Sequence, residues 1–170
     1  GSSAGGNMAL SLSARLGSER IKSCFALYPA PHLTHPERLD TVMGCVSDKF
    51  RSGVVIPHWC MKLFINAYTT PGTDMNDPRL SPIFYDASKF PKYVAVACGD
   101  ADTLYRMNFD LMKKISGSAS GTNVDGSRKF ICVLNEAHEF NTFGRTRASQ
   151  EERDRVEGEA INMIRASWRQ

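Results

Sequence analysis

The chain opens on Gly1-Ser2-Ser3-Ala4-Gly5, a G-x-S-x-G pattern. Glycines at that spacing around a serine suit a strand-to-helix turn so sharp that only small residues fit beside it. Such a turn lifts the serine hydroxyl clear of its surroundings at the amino end of a helix, where it becomes a nucleophile once a base takes its proton. Two later segments hold the residue types that this chemistry needs. Cys98-Gly99-Asp100-Ala101-Asp102-Thr103-Leu104 carries two carboxylates, and Asn135-Glu136-Ala137-His138-Glu139-Phe140 carries an imidazole. An imidazole moves protons near neutral pH, and a carboxylate behind it fixes its orientation and tautomer. Gly-Ser-Ser at a chain start is also a common cloning remnant, so the pattern gains meaning only if the fold brings Ser3, an aspartate and His138 together.

Other reactive side chains read more plainly. His32 and His35 lie in a Pro-rich loop where no Cys, Asp or Glu completes a ligand set, so they are loop histidines and no metal is expected. Trp59, Met61, Phe64 and Tyr68 are spaced to line an acyl pocket or to form an ordinary core-facing helix stripe. Arg79, between Pro78 and Leu80, is expected to fix its loop through hydrogen bonds.

The elements that must position these residues alternate between helix and strand. Met8, Ala9, Leu12 and Leu16 have helical spacing up to a stop at Gly17. Residues 21–28 are a short apolar run ended by Pro29 and Pro31, as in a buried parallel strand. Helical stretches are predicted at 39–50 and 59–68, then a loop over 71–82. The clearest buried strand is 92–98, followed by a helix over 103–115 through Leu104, Met107, Leu111 and Met112. Residues 116–127 are rich in Gly and Ser and are predicted to be a flexible loop before a third strand at 130–134. Ser149 and Glu152 form a capping box for a last helix with an apolar stripe of Val156, Ala160, Ile161, Ile164 and Trp168. The pattern predicts an α/β fold, a mostly parallel sheet with helices on both faces, with Ser3, the aspartate pair and His138 all near strand ends, where such sheets place their chemistry.

Composition agrees with one globular domain over 1–170. Of 170 residues 42% are hydrophobic and 23% charged, enough for a single core and too apolar for disorder. The 21 basic and 18 acidic residues interleave to a net charge of +3 with no basic stripe, which gives nucleic-acid binding no support. No apolar run reaches the ~18 residues of a membrane-spanning helix. The five cysteines contain no C-x-x-C and read as thiols; with no secretory signal in view, a cytoplasmic location is expected.

Taken together, Ser3-Ala4-Gly5-Gly6-Asn7-Met8-Ala9-Leu10, Asp77-Pro78-Arg79-Leu80-Ser81-Pro82, Gly99-Asp100-Ala101-Asp102-Thr103-Leu104 and His138-Glu139-Phe140 resemble the hormone-sensitive-lipase-like esterases of the α/β-hydrolase superfamily. The order Ser, Asp, His is the triad order of that fold. The resemblance implies a carboxylic-ester hydrolase acting through an acyl-enzyme on short-to-medium acyl esters, with a small-molecule ester as partner and no cofactor. It implies Ser3 as nucleophile, His138 as general base, the Ala4 N–H as an oxyanion-hole donor, and Asp102 as triad acid, because the family spacing Gly-x-x-Asp-x-Leu counts from Gly99. Three positions depart from the family's usual pattern: Ser2 stands before the nucleophile in place of an acid, Thr103 follows the triad acid in place of Pro, and Glu139 follows the histidine in place of Gly. The family's earlier strands and its His-Gly-Gly oxyanion loop have no counterpart here, so the chain is expected to be the C-terminal portion of a catalytic domain. Association through an exposed sheet edge, or with a missing N-terminal half, follows as an expectation. The alternatives are a non-catalytic fragment and a ligand-binding protein on the same fold; gibberellin receptors of that kind lack the histidine that this chain keeps at His138.

Overall fold

Three apolar runs, each cut off by a breaker, become the strands of one parallel sheet. The structure, a computed structural model, describes residues 1–169. Strands β1 (Ser23–Leu27), β2 (Tyr93–Gly99) and β3 (Arg128–Val133) lie side by side in that order, with Leu27 opposite Ala97 and Gly99 opposite Val133. β2 is the central strand, and Val94 to Cys98 are completely buried, which explains its unbroken apolar run.

Side chains along β2 alternate between two faces. Val94 and Val96 pack with Leu10 of helix α1 (Ser3–Arg20) and with Leu111, Met112 and Ile115 of α3 (Tyr105–Ser116). Ala95 and Ala97 pack on the other face with Phe140 of the short α4 (Phe140–Phe143) and Val156 and Met163 of α5 (Arg147–Trp168). Helices thus cover both faces, as the alternation predicts. A third cluster joins Met61 and Ile65 of α2 (His58–Tyr68) to Leu39, Met43, Leu104 and Met107. Gly17 interrupts α1 where a stop is predicted, its φ of 71° lying in the left-handed region that suits glycine. No helix among the described residues is long and apolar enough to cross a membrane.

Two elements differ from their prediction. The helix expected over 39–50 is only a 3-10 helix, Pro36–Thr41, followed by irregular chain. Its backbone groups bond elsewhere: Gly44 N–H donates to Thr103 O at 2.7 Å, Val46 N–H to Asp100 O at 2.8 Å and Arg51 N–H to Asn135 O at 2.7 Å. Gly44, Ser47 and Asp48 are weak helix formers, so these long-range partners prevail. The last helix begins before the expected capping box. Thr146 is its cap, with Oγ1 accepting from Ser149 N–H at 3.1 Å, and the Ser149 hydroxyl is engaged in the interior instead. The face of α5 that meets the sheet runs through Val156 and Met163, while Ile161, Ile164 and Trp168 of the expected stripe are exposed.

Candidate active site

Residues 1 and 2 run beside the end of β1, with Ser2 bridged to Leu27, and the chain then turns directly into α1. The turn is tight enough that a Cβ at Gly1 would strike the Gly5 carbonyl. Ser3 occupies the corner at φ 48°, a left-handed conformation unusual for a residue with a side chain. The first helical amide to find a helical partner is Gly6 N–H, on Ser2 O at 2.9 Å. Ala4 N–H, two residues earlier, therefore has no intrahelical acceptor.

At the end of β2 the chain turns again through Gly99, where any Cβ would collide with the Glu136 carbonyl. The two candidate acids part company beyond it. Asp100 Oδ1 accepts from the Asn135 N–H at 2.7 Å and so ties one loop to the next. Asp102 is fully buried; its Oδ1 accepts from Leu104 N–H at 2.8 Å, and its Oδ2 lies 2.8 Å from His138 Nδ1. The Cys98 thiol, 3.6 Å from the same Oδ2, has its pKa pushed well up by burial and then by that carboxylate.

His138 is 3% exposed, and its Nε2 lies 3.0 Å from Ser3 Oγ. A carboxylate can only accept, so Nδ1 carries the ring proton toward Asp102 and Nε2 is left to accept the Ser3 hydroxyl proton. The structure therefore brings Ser3, Asp102 and His138 into one hydrogen-bonded line, with Ala4 beside it. The loop bearing His138 is tied to residues 52–54 by Ala137 N–H to Ser52 O at 2.9 Å and by reciprocal bonds between Val54 and His138 at 2.7 and 3.1 Å.

Two residues missed in the sequence hold that arrangement. Glu136 is fully buried, and its carboxylate accepts from Ser52 Oγ, from Ser149 Oγ at 2.8 Å and from Arg51 Nε at 3.1 Å. A buried carboxylate needs such partners, but residues 51, 52 and 149 lie too far along the chain for local pattern to join them. Tyr28, just past the end of β1, packs its ring against that of His138 with centroids 4.5 Å apart and planes tilted by 59°, and donates its hydroxyl to Asn141 Oδ1. Burial foremost, and the charge of Glu139 next, push the Tyr28 hydroxyl up to about 12.

A cavity of about 710 Å³ opens over Ser3 and His138. Val55, Ile56, Phe64 and Tyr68 are among its apolar walls. The expected stripe of Trp59, Met61, Phe64 and Tyr68 divides: Met61 is buried in the core and reaches the cavity, Phe64 and Tyr68 line the cavity while exposed, and Trp59 faces outward. Arg79 pairs with Asp77 through its side chain, holding the carboxyl down at about 2, and stays clear of the cavity over Ser3. His32 packs edge-to-face against Phe84, and no cluster of three His, Cys, Asp or Glu with metal-binding geometry occurs among the described residues.

A parallel sheet clad by helices, with a serine at the strand-to-helix corner and an imidazole and carboxylate at later strand ends, defines the α/β-hydrolase class of architecture. Residues 1–141 match the family described as alpha/beta hydrolase fold, and the chain belongs to it. EstE1, a thermophilic carboxylesterase cloned from a metagenomic library, is 22% identical with a TM-score of 0.71, over 96% of this chain and 53% of its own. Brefeldin A esterase, described as a bacterial homologue of human hormone sensitive lipase, is 22% identical with a TM-score of 0.66, over 98% and 47%. A hyperthermophilic esterase from the archaeon Pyrobaculum calidifontis is 22% identical with a TM-score of 0.67, over 96% and 50%. The chain thus spans about half the length of these solved structures, and the expected α/β-hydrolase fold is borne out. Comparison with curated proteins found no match.

Proposed function

We propose that the protein carrying this chain hydrolyses carboxylic esters of small molecules, with short-to-medium acyl groups, through an acyl-enzyme on Ser3. The observation that carries the reading is the continuous line from Ser3 Oγ to His138 Nε2 at 3.0 Å and from His138 Nδ1 to Asp102 Oδ2 at 2.8 Å. Ser3 Oγ attacks the ester carbonyl as its proton passes to His138 Nε2. The same proton then goes to the departing alcohol as the C–O bond breaks. Water, deprotonated by the same nitrogen, releases the acid and restores Ser3. Asp102 holds the imidazole in the tautomer that accepts from serine. Ala4 N–H donates to the tetrahedral oxyanion, and each such donor is worth ~10²–10³ in rate.

His138 in hydrogen-bond reach of Ser3 favours this reading over a ligand-binding role or a non-catalytic fragment. The outer edges of β1 and β3 carry no partner strand among the described residues, and we propose that further strands of the full-length protein, or a second protein, pair there. The five free thiols fit a reducing compartment, the cytoplasm. The test of the main reading is fluorophosphonate labelling of the full-length protein with peptide mapping. The adduct is expected on Ser3 and is lost in Ser3→Ala together with p-nitrophenyl butyrate turnover. An adduct on Ser2, or labelling that survives Ser3→Ala, overturns it.

A further inference from the structure

Among the residues lining the cavity over Ser3, Glu139 is the one acidic side chain and no lysine or arginine accompanies it; apart from His138, the rest of the wall is apolar or uncharged. The position is unusual in its backbone as well. Glu139 has φ 58°, a left-handed conformation that glycine adopts freely and an acidic side chain adopts only under strain. Its backbone carbonyl serves the turn, accepting from Thr142 N–H at 2.9 Å and Phe143 N–H at 3.1 Å, and any residue would supply that carbonyl. The carboxylate itself forms no ion pair among the described residues. Arg51, on the neighbouring segment, is already committed to Glu136 and the Leu134 carbonyl. Its charge is nevertheless felt within the site, since it contributes to raising the Tyr28 hydroxyl, whose ring covers His138.

An unpaired anion on the wall of an apolar cavity, next to the base, discriminates by charge. It attracts a cation presented at that wall and repels an anion, and the apolar surroundings with their low local dielectric enlarge the difference. The exposed rings of Phe64 and Tyr68 on the same cavity add faces on which an alkylated ammonium packs well. We infer that Glu139 is a specificity-determining residue that makes esters bearing an ammonium or quaternary-ammonium group the preferred substrate class of this site, and esters bearing a carboxylate the disfavoured one. The inference rests on the esterase reading above and deepens it.

The experiment measures kcat/KM of the full-length protein on matched ester pairs in which a quaternary nitrogen is replaced by carbon. Choline butyrate and its neutral neohexyl isostere place the charge on the alcohol side. A trimethylammonio-acyl ester and its tert-butyl-acyl isostere place it on the acyl side. At low salt one pair is expected to favour the cation by about tenfold, the size of a single charge contact at a partly exposed site. That preference should shrink as salt is added and fall to near one in Glu139→Gln and in Glu139→Gly, the second of which suits φ 58° and guards against a misfolded first variant. The ratio is taken within each protein, so a general loss of activity cancels, and Glu139→Asp is expected to restore part of it. A ratio near one for both pairs in the unmodified protein, or a preference that survives both substitutions, overturns the inference while leaving the esterase reading in place. No turnover of any neutral ester overturns the esterase reading and this inference with it.

Discussion

Ser149, inside the last helix, donates its hydroxyl to the buried carboxylate of Glu136 at 2.8 Å, and Glu136 precedes His138 by two residues. The helix on the far face of the sheet thereby holds the loop that presents the imidazole. Removing the carboxylate in Glu136→Ala takes this acceptor from two hydroxyls and from the Nε–H of Arg51. It should cost about 2–4 kcal/mol in denaturant unfolding, the range for stripping one member from a buried, charged hydrogen-bond group that keeps some solvent contact. Where the variant still folds, kcat should fall more than KM rises, because the base is displaced and the cavity is not.

The two aspartates beyond β2 separate cleanly in their contacts, and their variants should separate in rate. Asp102→Asn keeps the shape but offers an amide where His138 Nδ1 needs an acceptor. Steady-state assays should show kcat lower by about 10⁴, with the far-UV CD unchanged. Asp100→Asn should lose far less turnover, with some loss of stability from the weakened bond to Asn135. The opposite ranking would mean that Asp100 orients the base.

The pH dependence follows from the direction of proton flow. His138 must be neutral at Nε2 to accept from Ser3, so kcat/KM should fall on the acid side as the ring takes up a proton, with a slope of one. His138→Ala should abolish turnover, whereas replacing His32, His35 or His58 should leave the acid limb in place. A limb that moves with one of those three would transfer the role.

Tyr28 offers a graded test of how the imidazole is held. Tyr28→Phe keeps the ring against His138 and loses the bond to Asn141, which should cost about 1 kcal/mol and little rate. Tyr28→Ala also empties the space behind the imidazole. A loss of about 3–5 kcal/mol is expected, with kcat reduced well beyond the Phe variant. Thermal unfolding and steady-state kinetics on the two variants check both halves.

The parts of this site that sequence made legible share a physical reason. Asp102 and His138 each follow a buried strand whose apolar run ends at small or polar residues, so local pattern places them at strand ends, and Ser3 is marked by the glycine spacing around it. The stretch after Thr41 was not legible in the same way. Val42, Met43, Val46 and Phe50 sit at helix-like intervals, yet the backbone between them bonds to residues 100–106 and 135. Those bonds join segments more than fifty residues apart, which no local window contains. Glu136 failed to stand out for a related reason, since its partners Arg51 and Ser52 lie some 85 residues before it and Ser149 lies 13 residues after it, beyond an intervening short helix. On α5, apolar spacing put Ile161 and Ile164 in the stripe and left Met163 out, yet Met163 is buried and the two isoleucines are exposed; which face meets the sheet is set by tertiary packing that spacing does not contain.

The left-handed backbone at Ser3 bears on how such a chain would age under mutation. A side chain at φ 48° costs of order 1 kcal/mol that glycine would not, so Ser3→Gly is a change that makes the fold safer while removing the proposed nucleophile. Drift toward stability and retention of the hydroxyl therefore pull in opposite directions at this one codon. A lineage released from its reaction would shed the serine early, long before the buried aspartate and histidine, whose loss would disturb the packing around them.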